Sequence, residues 1–311
     1  MSLVAIILTY NEELHIERCI NSLVGVVDQV YVIDSYSKDS TISIAKKLGA
    51  IVLQHPWSNH ASQFNWALDN IDKETTWVLR IDADEYLSEG LRNEIFKKLE
   101  HVPKNITGIS IKRKIIFQGI LVKFGGIGSV NVLRILRYGF GRYENRLMDE
   151  HLIVNGRIKK FGGAIIDENI KTLSWWIDKH NSYSNKEAIE ILNGEYKFFE
   201  TKIFDSNKLG FHARAKRFAK NYFYNLLPLK KRALLYFFFR FFIQLGFIDS
   251  MRGSSFHFLQ GYWYRSMVDL KISEIKSYKN KYKVDIIEAI EQVTGSKVNL
   301  ESLNYHRSAK Q

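Results

Sequence analysis

The first hundred residues leave few folds open, because short apolar runs and segments of helical period alternate along them. Residues 3–8 form a continuous apolar run, the pattern of a parallel strand buried on both faces. Apolar residues then return at helical spacing in Leu14, Ile16, Ile20 and Leu23. A second strand is predicted over 30–33, a helix over 40–48 ended by Gly49, and a third strand over 51–53. A helix over 62–70, a fourth strand over 77–81 and a helix over 89–99 complete the series. Strand and helix in this order predict βαβ units, hence an α/β fold whose mostly parallel sheet is flanked by helices.

From about residue 106 the pattern changes to strands over 108–117, 132–135 and 150–154, joined by Gly-rich connections. A helix is expected over 173–197, and beyond about residue 207 the chain is basic and aromatic. With 311 residues there is room for a large domain and an appendage. We expect two halves of one domain, 1–105 and 106–205, followed by a C-terminal helical region, 206–311. Cys19 is the single cysteine, which excludes an internal disulfide and suits a reducing compartment. Met1 runs into an apolar strand without a basic leader, so a cytoplasmic protein is expected.

In open α/β sheets ligands bind outside the carboxyl ends of the strands. Three of the predicted strands end there in polar residues: Thr9-Tyr10-Asn11-Glu12, Asp34-Ser35-Tyr36-Ser37-Lys38-Asp39 and Asp82-Ala83-Asp84-Glu85. Helix capping accounts for Asp39 or Ser40. It does not account for three acids crowded at 82, 84 and 85, which repel one another unless a cation neutralises them. A hard cation, Mn²⁺ or Mg²⁺, suits such a tip, with Asp84 and Asp82 as its ligands and substrate phosphates completing its shell. No P-loop sequence and no Gly-x-Gly-x-x-Gly turn is present, which excludes P-loop kinases and argues against a dinucleotide cofactor.

These three motifs together resemble the inverting family 2 glycosyltransferases. The resemblance implies the Rossmann-like GT-A fold and a nucleotide-sugar donor, a UDP-sugar by preference. It places Thr9, Tyr10, Asn11, Glu12, Asp34, Ser35, Asp82 and Ala83 around the nucleotide, with the ring of Tyr10 against the base and Asp34 hydrogen-bonded to it. Asp84 would bridge metal and diphosphate. Relatives often carry a basic residue just before the Asn of the segment Gln63-Phe64-Asn65-Trp66-Ala67. Phe64 stands there instead, so Arg134, Arg137 or Lys38 would have to meet the diphosphate. Many such enzymes also use a late histidine on the metal, where this chain reads Asp167-Glu168-Asn169.

An inverting transfer needs a carboxylate to take the acceptor's proton. The family's base lies in an acidic pair after the mixed strands, which here is Asp149-Glu150; Glu150 best matches its second acid, and an exposed turn is the competing reading. His151 is a further candidate for metal or acceptor. The segments 146–151 and 258–265 are similar to a bacterial subgroup that builds surface polysaccharide or lipopolysaccharide core, implying a lipid-linked or lipopolysaccharide acceptor.

Net charge is +12, and no acidic residue lies between Ser206 and Ile248. The apolar stretch that ends at Ile248 is shorter than the ~20 residues a spanning helix needs. Lys230, Lys231 and Arg232 beside Phe237, Phe238 and Phe241 fit interfacial helices on an anionic membrane. Consecutive phenylalanines suit lipid better than nucleic acid, so no nucleic-acid partner is expected; a packed helical hairpin is the bland alternative. The rival functions are a catalytically dead membrane scaffold and a nucleotidyltransferase. Retained Asp34, Asp82 and Asp84 argue against the scaffold. The absence of a Gly-rich basic signature after the first strand argues against the nucleotidyltransferase.

Overall fold

A computed structural model describes residues 1–144, 152–198, 227–229 and 231–295. The chain forms two compact units, one running to Lys171 and one from Thr172 onward. In the first, β1 (Leu3–Thr9), α1 (Ile16–Leu23), β2 (Gln29–Asp34), α2 (Thr41–Lys47), β3 (Ile51–Gln54), α3 (His60–Asn70) and β4 (Trp77–Asp82) reproduce the predicted alternation. They are followed by β5 (Glu85–Leu87), α4 (Glu89–Lys98), β6 (Ile106–Phe117), β7 (Ile120–Val122) and β8 (Val130–Arg137). Last come β9 (Gly141–Tyr143), β10 (Leu152–Val154) and β11 (Arg157–Glu168).

One sheet runs in the order β3-β2-β1-β4-β8-β6-β11-β5, with β7 beside β6; β9 and β10 form a separate ribbon. Strands β1 to β4 are mutually parallel, β8 enters antiparallel beside β4, and β6 and β11 run parallel to each other. This is the mostly parallel α/β architecture expected of the GT-A fold, and the residues after 106 extend the same sheet. The sheet has a core on each side. Ala5, Ile7, Ile16, Cys19, Leu79 and Ile81 pack on one face, and Val4, Ile6, Ile33, Phe64, Ala67 and Val78 on the other. Each such Val, Leu or Ile contributes about 1.5–3 kcal/mol by leaving water, so β1, covered on both faces, anchors the unit. Helix α3 starts two residues earlier than expected because the Asn59 side chain accepts from the Ser62 N–H (2.7 Å).

Four strands escape the sequence pattern. β5, β7 and β9 are only three residues long, and β11 opens on the charged run Arg157-Ile158-Lys159-Lys160 and breaks register between Lys160 and Ala164. At that break the N–H groups of Gly162 and Gly163 both donate to Glu94 Oε2 (2.7 and 2.9 Å) on α4. A Cβ on Gly163 would stand 2.4 Å from the Leu91 Cα, so a side chain there would collide with the helix.

In the second unit α5 (Leu173–Tyr196) agrees with the predicted helix. Next are α6 (Lys231–Phe238), a π turn (Phe239–Ile243), a short 3-10 turn (Gly246–Ile248) and α7 (Met251–Phe258). A second π turn (Leu259–Trp263), α8 (Tyr264–Tyr282) and α9 (Ile286–Thr294) follow. Ala188, Leu192, Val268, Ile272, Ile275 and Ile290 form its core. No helix among the described residues is long and apolar enough to cross a membrane.

The predicted membrane contacts divide. Arg232 is 2% exposed and ion-paired with buried Asp269, so it is an internal counter-ion, which corrects its expected place at a lipid headgroup. Arg240 is equally buried, bonded to Gln260 and His257. Phe237 and Phe241 are half-buried and stacked on each other (5.1 Å). Lys231 and Phe238 are exposed; Lys230 lies outside the described residues.

Candidate functional site

The register of β1, β2 and β4 sets the geometry of the carboxyl edge. Thr9 pairs with Asp34 and Leu8 with Asp82. Because side chains alternate along a strand, Thr9 and Asp34 lie on the face of Ala5 and Val32, whereas Asp82 shares the opposite face with Arg80, Val78 and Phe64. Asp34 is fully buried: Oδ1 accepts from Thr9 Oγ1 (3.0 Å) and Ser37 Oγ (2.5 Å), and Oδ2 from the Ser37 N–H (2.8 Å). The first two loops are stitched further by Asn11 N–H to Ser37 Oγ, Lys38 N–H to Asn11 Oδ1, and Glu12 N–H to Thr41 Oγ1. These bonds hold Asn11 and Tyr36 at positive φ (55° and 61°), a conformation that non-glycine residues seldom adopt. Tyr10 and Tyr36 stand exposed on this fixed rim.

Glu12 is committed inward. It accepts from His15 Nδ1 (2.7 Å) and Lys171 Nζ (3.1 Å), while His15 Nε2 accepts the Ile170 N–H (3.0 Å). Burial opposes its charge, but His15 and Lys171 outweigh it and hold the carboxyl below its usual value. Buried Ser35 accepts from Gln63 Nε2 (3.1 Å), and Gln63 also accepts from His55 Nδ1 (2.8 Å).

At the acidic tip, internal arginines supply much of the neutralising charge that the sequence pattern demanded. Asp82 Oδ1 accepts from Arg80 Nη2 (2.5 Å), and its Oδ2 lies 3.6 Å from Arg134. Glu85, 1% exposed, is hydrogen-bonded by Arg134. Burial alone would raise Asp82, yet Arg80, with His60 beside it, holds its carboxyl far below the usual carboxylate range. Burial and the Asp82 charge push Glu85 up, with Arg80 opposing. Asp84 differs. It is half-buried, and its Oδ2 accepts from the neutral Asn169 Nδ2 (3.0 Å) while Glu168 N–H bonds its backbone oxygen (3.0 Å). Among the described residues no group of three acidic, His or Cys side chains could hold a metal. The donors fit a cation that takes one protein carboxylate, Asp84, and the rest of its shell from phosphate and water.

Arg137 is excluded from the diphosphate role. Antiparallel pairing sets it against Trp77, at the amino end of β4, where it donates to the Ile106 and Val102 carbonyls and lies over the Trp77 ring. Arg134 reaches the correct edge but as a buried counter-ion. Lys38 is exposed, and Phe64 is fully buried in the core. Asp149, Glu150 and His151, with the whole segment 145–151, lie outside the described residues. Arg80, His60, Asn65 and Lys171 were not singled out from the sequence. A charge inside the otherwise apolar strand β4 marked Arg80. Asn65 exchanges two hydrogen bonds with the Tyr143 backbone (2.9 and 3.1 Å), which no local pattern announces.

The family model described as Glycosyl transferase family 2 matches residues 4–151. The chain is 30% identical over 202 residues to the glycosyltransferase RT0209 of Rickettsia typhi, covering 62% of this chain and 68% of that one. It is 27% identical over 195 residues to the lipopolysaccharide core biosynthesis glycosyltransferase LpsC of Rhizobium meliloti, covering 60% and 71%. The crystal structure of S. aureus TarS 1–349 aligns over 95% of this chain and 91% of that one, with 18% identity and a TM-score of 0.43.

Proposed function

This chain belongs to glycosyltransferase family 2, and from that premise we propose that it moves a sugar from a UDP-sugar, with inversion, onto a lipid-linked or lipopolysaccharide-core acceptor. The observation that carries the donor site is the asymmetry of the acidic tip. Arginines engage Asp82 and Glu85, and Asp84 meets only an amide among the described residues. Asp84 would hold Mn²⁺ or Mg²⁺, which when bound would offset the charge that grows on the departing diphosphate. Thr9, Asp34 and Ser37 fix the two loops whose exposed rings, Tyr10 and Tyr36, offer stacking surface to a base. Asp149 or Glu150 takes the acceptor hydroxyl proton as that oxygen attacks the anomeric carbon and the bond to the diphosphate oxygen breaks. The LpsC likeness supports the class of acceptor. A screen of nucleotide-sugars for thermal stabilisation with Mn²⁺ and with EDTA, followed by mass analysis of products, tests the reading. UDP binding without transfer to any glycan acceptor would leave a scaffold instead.

For the second unit we propose a peripheral contact with an anionic membrane at the cytoplasmic face. Leu234, Leu235, Phe238, Phe239, Phe242 and Ile243 recur at helical spacing and are all exposed, with Phe247, Ile248 and Met251 exposed beyond them. Arg232 and Arg240 of the same stretch turn inward, and exposed Lys231 and Arg252 flank it in sequence. Apolar burial at the headgroup boundary together with cations is what such a surface supplies.

A further inference from the structure

Two neighbouring arginines at the carboxyl edge keep donors that the protein does not use. The register of Val78 with Leu136 and Leu79 with Ile135 brings Arg134 of β8 beside Arg80 of β4. Like charges across a strand pair repel, and here Asp82 and Glu85 hold them together. The compensation is incomplete. Arg80 spends Nη2 on Asp82 Oδ1 (2.5 Å) and on His60 Nε2 (2.7 Å), while its Nε is buried with no hydrogen-bond partner. Arg134, 1% exposed, spends Nη2 on Glu85, and both its Nε and its Nη1 are buried without partners. Buried N–H groups are nearly always satisfied, so such a pair calls for acceptor oxygens from elsewhere. A guanidinium anchored at one nitrogen, with other N–H groups left without partners, matches the paired oxygens of a diphosphate. Arg80 also shares its sheet face with Phe64, the position at which the family resemblance implies a cation.

We propose that Arg80, anchored by Asp82 and His60, hydrogen-bonds the diphosphate of the nucleotide-sugar donor, and that Arg134 positions it by holding Asp82 and Glu85. This rests on the donor site proposed above. The competing role is purely structural, with Arg80 doing no more than orienting Asp82.

Titration calorimetry of R80Q and R80K against wild type, with UDP, inorganic pyrophosphate and uridine, in Mn²⁺ and in EDTA, separates the two. R80Q should weaken UDP and pyrophosphate about ten- to hundred-fold, the worth of a hydrogen bond to a charged group. That loss should persist in EDTA and leave uridine binding unchanged. R80K, which keeps the charge and loses the fork, should fall between and carries the test if R80Q does not fold, melting curves reporting the fold of both. Equal weakening of uridine and UDP, a loss that vanishes in EDTA, or unchanged UDP affinity would each overturn the proposal, as would a wild type that binds neither UDP nor pyrophosphate. Arg80-dependent pyrophosphate binding without uridine recognition would uphold Arg80 and overturn the uridine reading instead.

Discussion

Asp82 and Asp84 are two positions apart in one turn, yet their partners assign them different tasks. Removing the Asp82 carboxylate leaves Arg80 and Arg134 under-compensated at a buried edge. Asp82→Ala should therefore cost about 1–3 kcal/mol of stability, read from denaturant midpoints. Asp84 loses only an amide partner on truncation. Asp84→Ala should leave the midpoint nearly unchanged while abolishing metal-dependent UDP binding and transfer. Wild-type turnover by Asp84→Ala in the presence of chelator would remove the metal from Asp84. For the base, Asp149→Ala and Glu150→Ala should separate, one of them losing about 10²–10⁴-fold in turnover with UDP affinity retained. Near-normal turnover in both would take the pair out of the mechanism.

At the scale of elements, β11 shows how a strand is held where its sequence looks least like one. Its register break is fixed by Glu94 on α4, which accepts from two successive glycine N–H groups. The burial of Glu94 opposes its charge, and the bonds from Lys98, Gly163 and Gly162 overcome that and keep its carboxyl below the usual value. The two glycines are not equivalent. An added Cβ at Gly162 meets nothing nearer than Glu94 Oε2 at 3.7 Å, while at Gly163 it meets the α4 backbone at 2.4 Å. Gly163→Ala should destabilise the first unit by about 1–3 kcal/mol, the range for overpacking, and Gly162→Ala should be close to neutral. Urea unfolding of both variants compares them directly. Equal midpoints would mean that α4 is free to shift away.

Across the molecule, the second unit carries its own response to acid. His180 stacks on Trp176 (3.5 Å) and packs edge-on against Tyr183 and Tyr264, its Nδ1 donating to the Trp176 carbonyl (2.9 Å). Burial is the main cause that pushes it down from 6.5 to about 4, with Lys179 adding to it. Between those values the unfolded chain takes up a proton that the folded one refuses, so stability falls as pH drops from about 6.5 to about 4 and this contribution then levels off. His180→Phe should flatten that part of the pH–stability curve, and an unchanged slope would assign the acid response elsewhere. Membrane binding separates equally well by residue. Lys231→Glu and serine at Phe238, Phe239, Phe242 and Ile243 should weaken flotation with anionic liposomes while the fold persists. Arg232→Glu should instead lower the melting temperature, because it sets two acids together in the buried pair with Asp269. A wild type that ignores anionic liposomes would sink the membrane contact.

The sequence alone determined whatever depends on neighbours close along the chain. The period of apolar residues announced β1 to β4 and helices α1 to α5, and the polar residues after Leu8, Ile33 and Ile81 marked the edge at which a ligand would bind. Family membership was legible there too, because Asp34, Asp82 and Asp84 stand at strand ends that any βαβ sheet brings together. Side-chain partners were not legible. That Asp34 is consumed in tying two loops, that Glu12 turns toward Lys171 and that Arg134 meets Glu85 depend on residues 25 to 159 positions apart. The same holds for Arg137, whose charge suited a phosphate until antiparallel pairing put it at the far end of β4, and for Arg232, which reads as a membrane cation until Asp269 meets it in the interior. A charge in a sequence has a sign but no counter-ion. Folding chooses the counter-ion, because a buried charge must be paired where the packed chain places it.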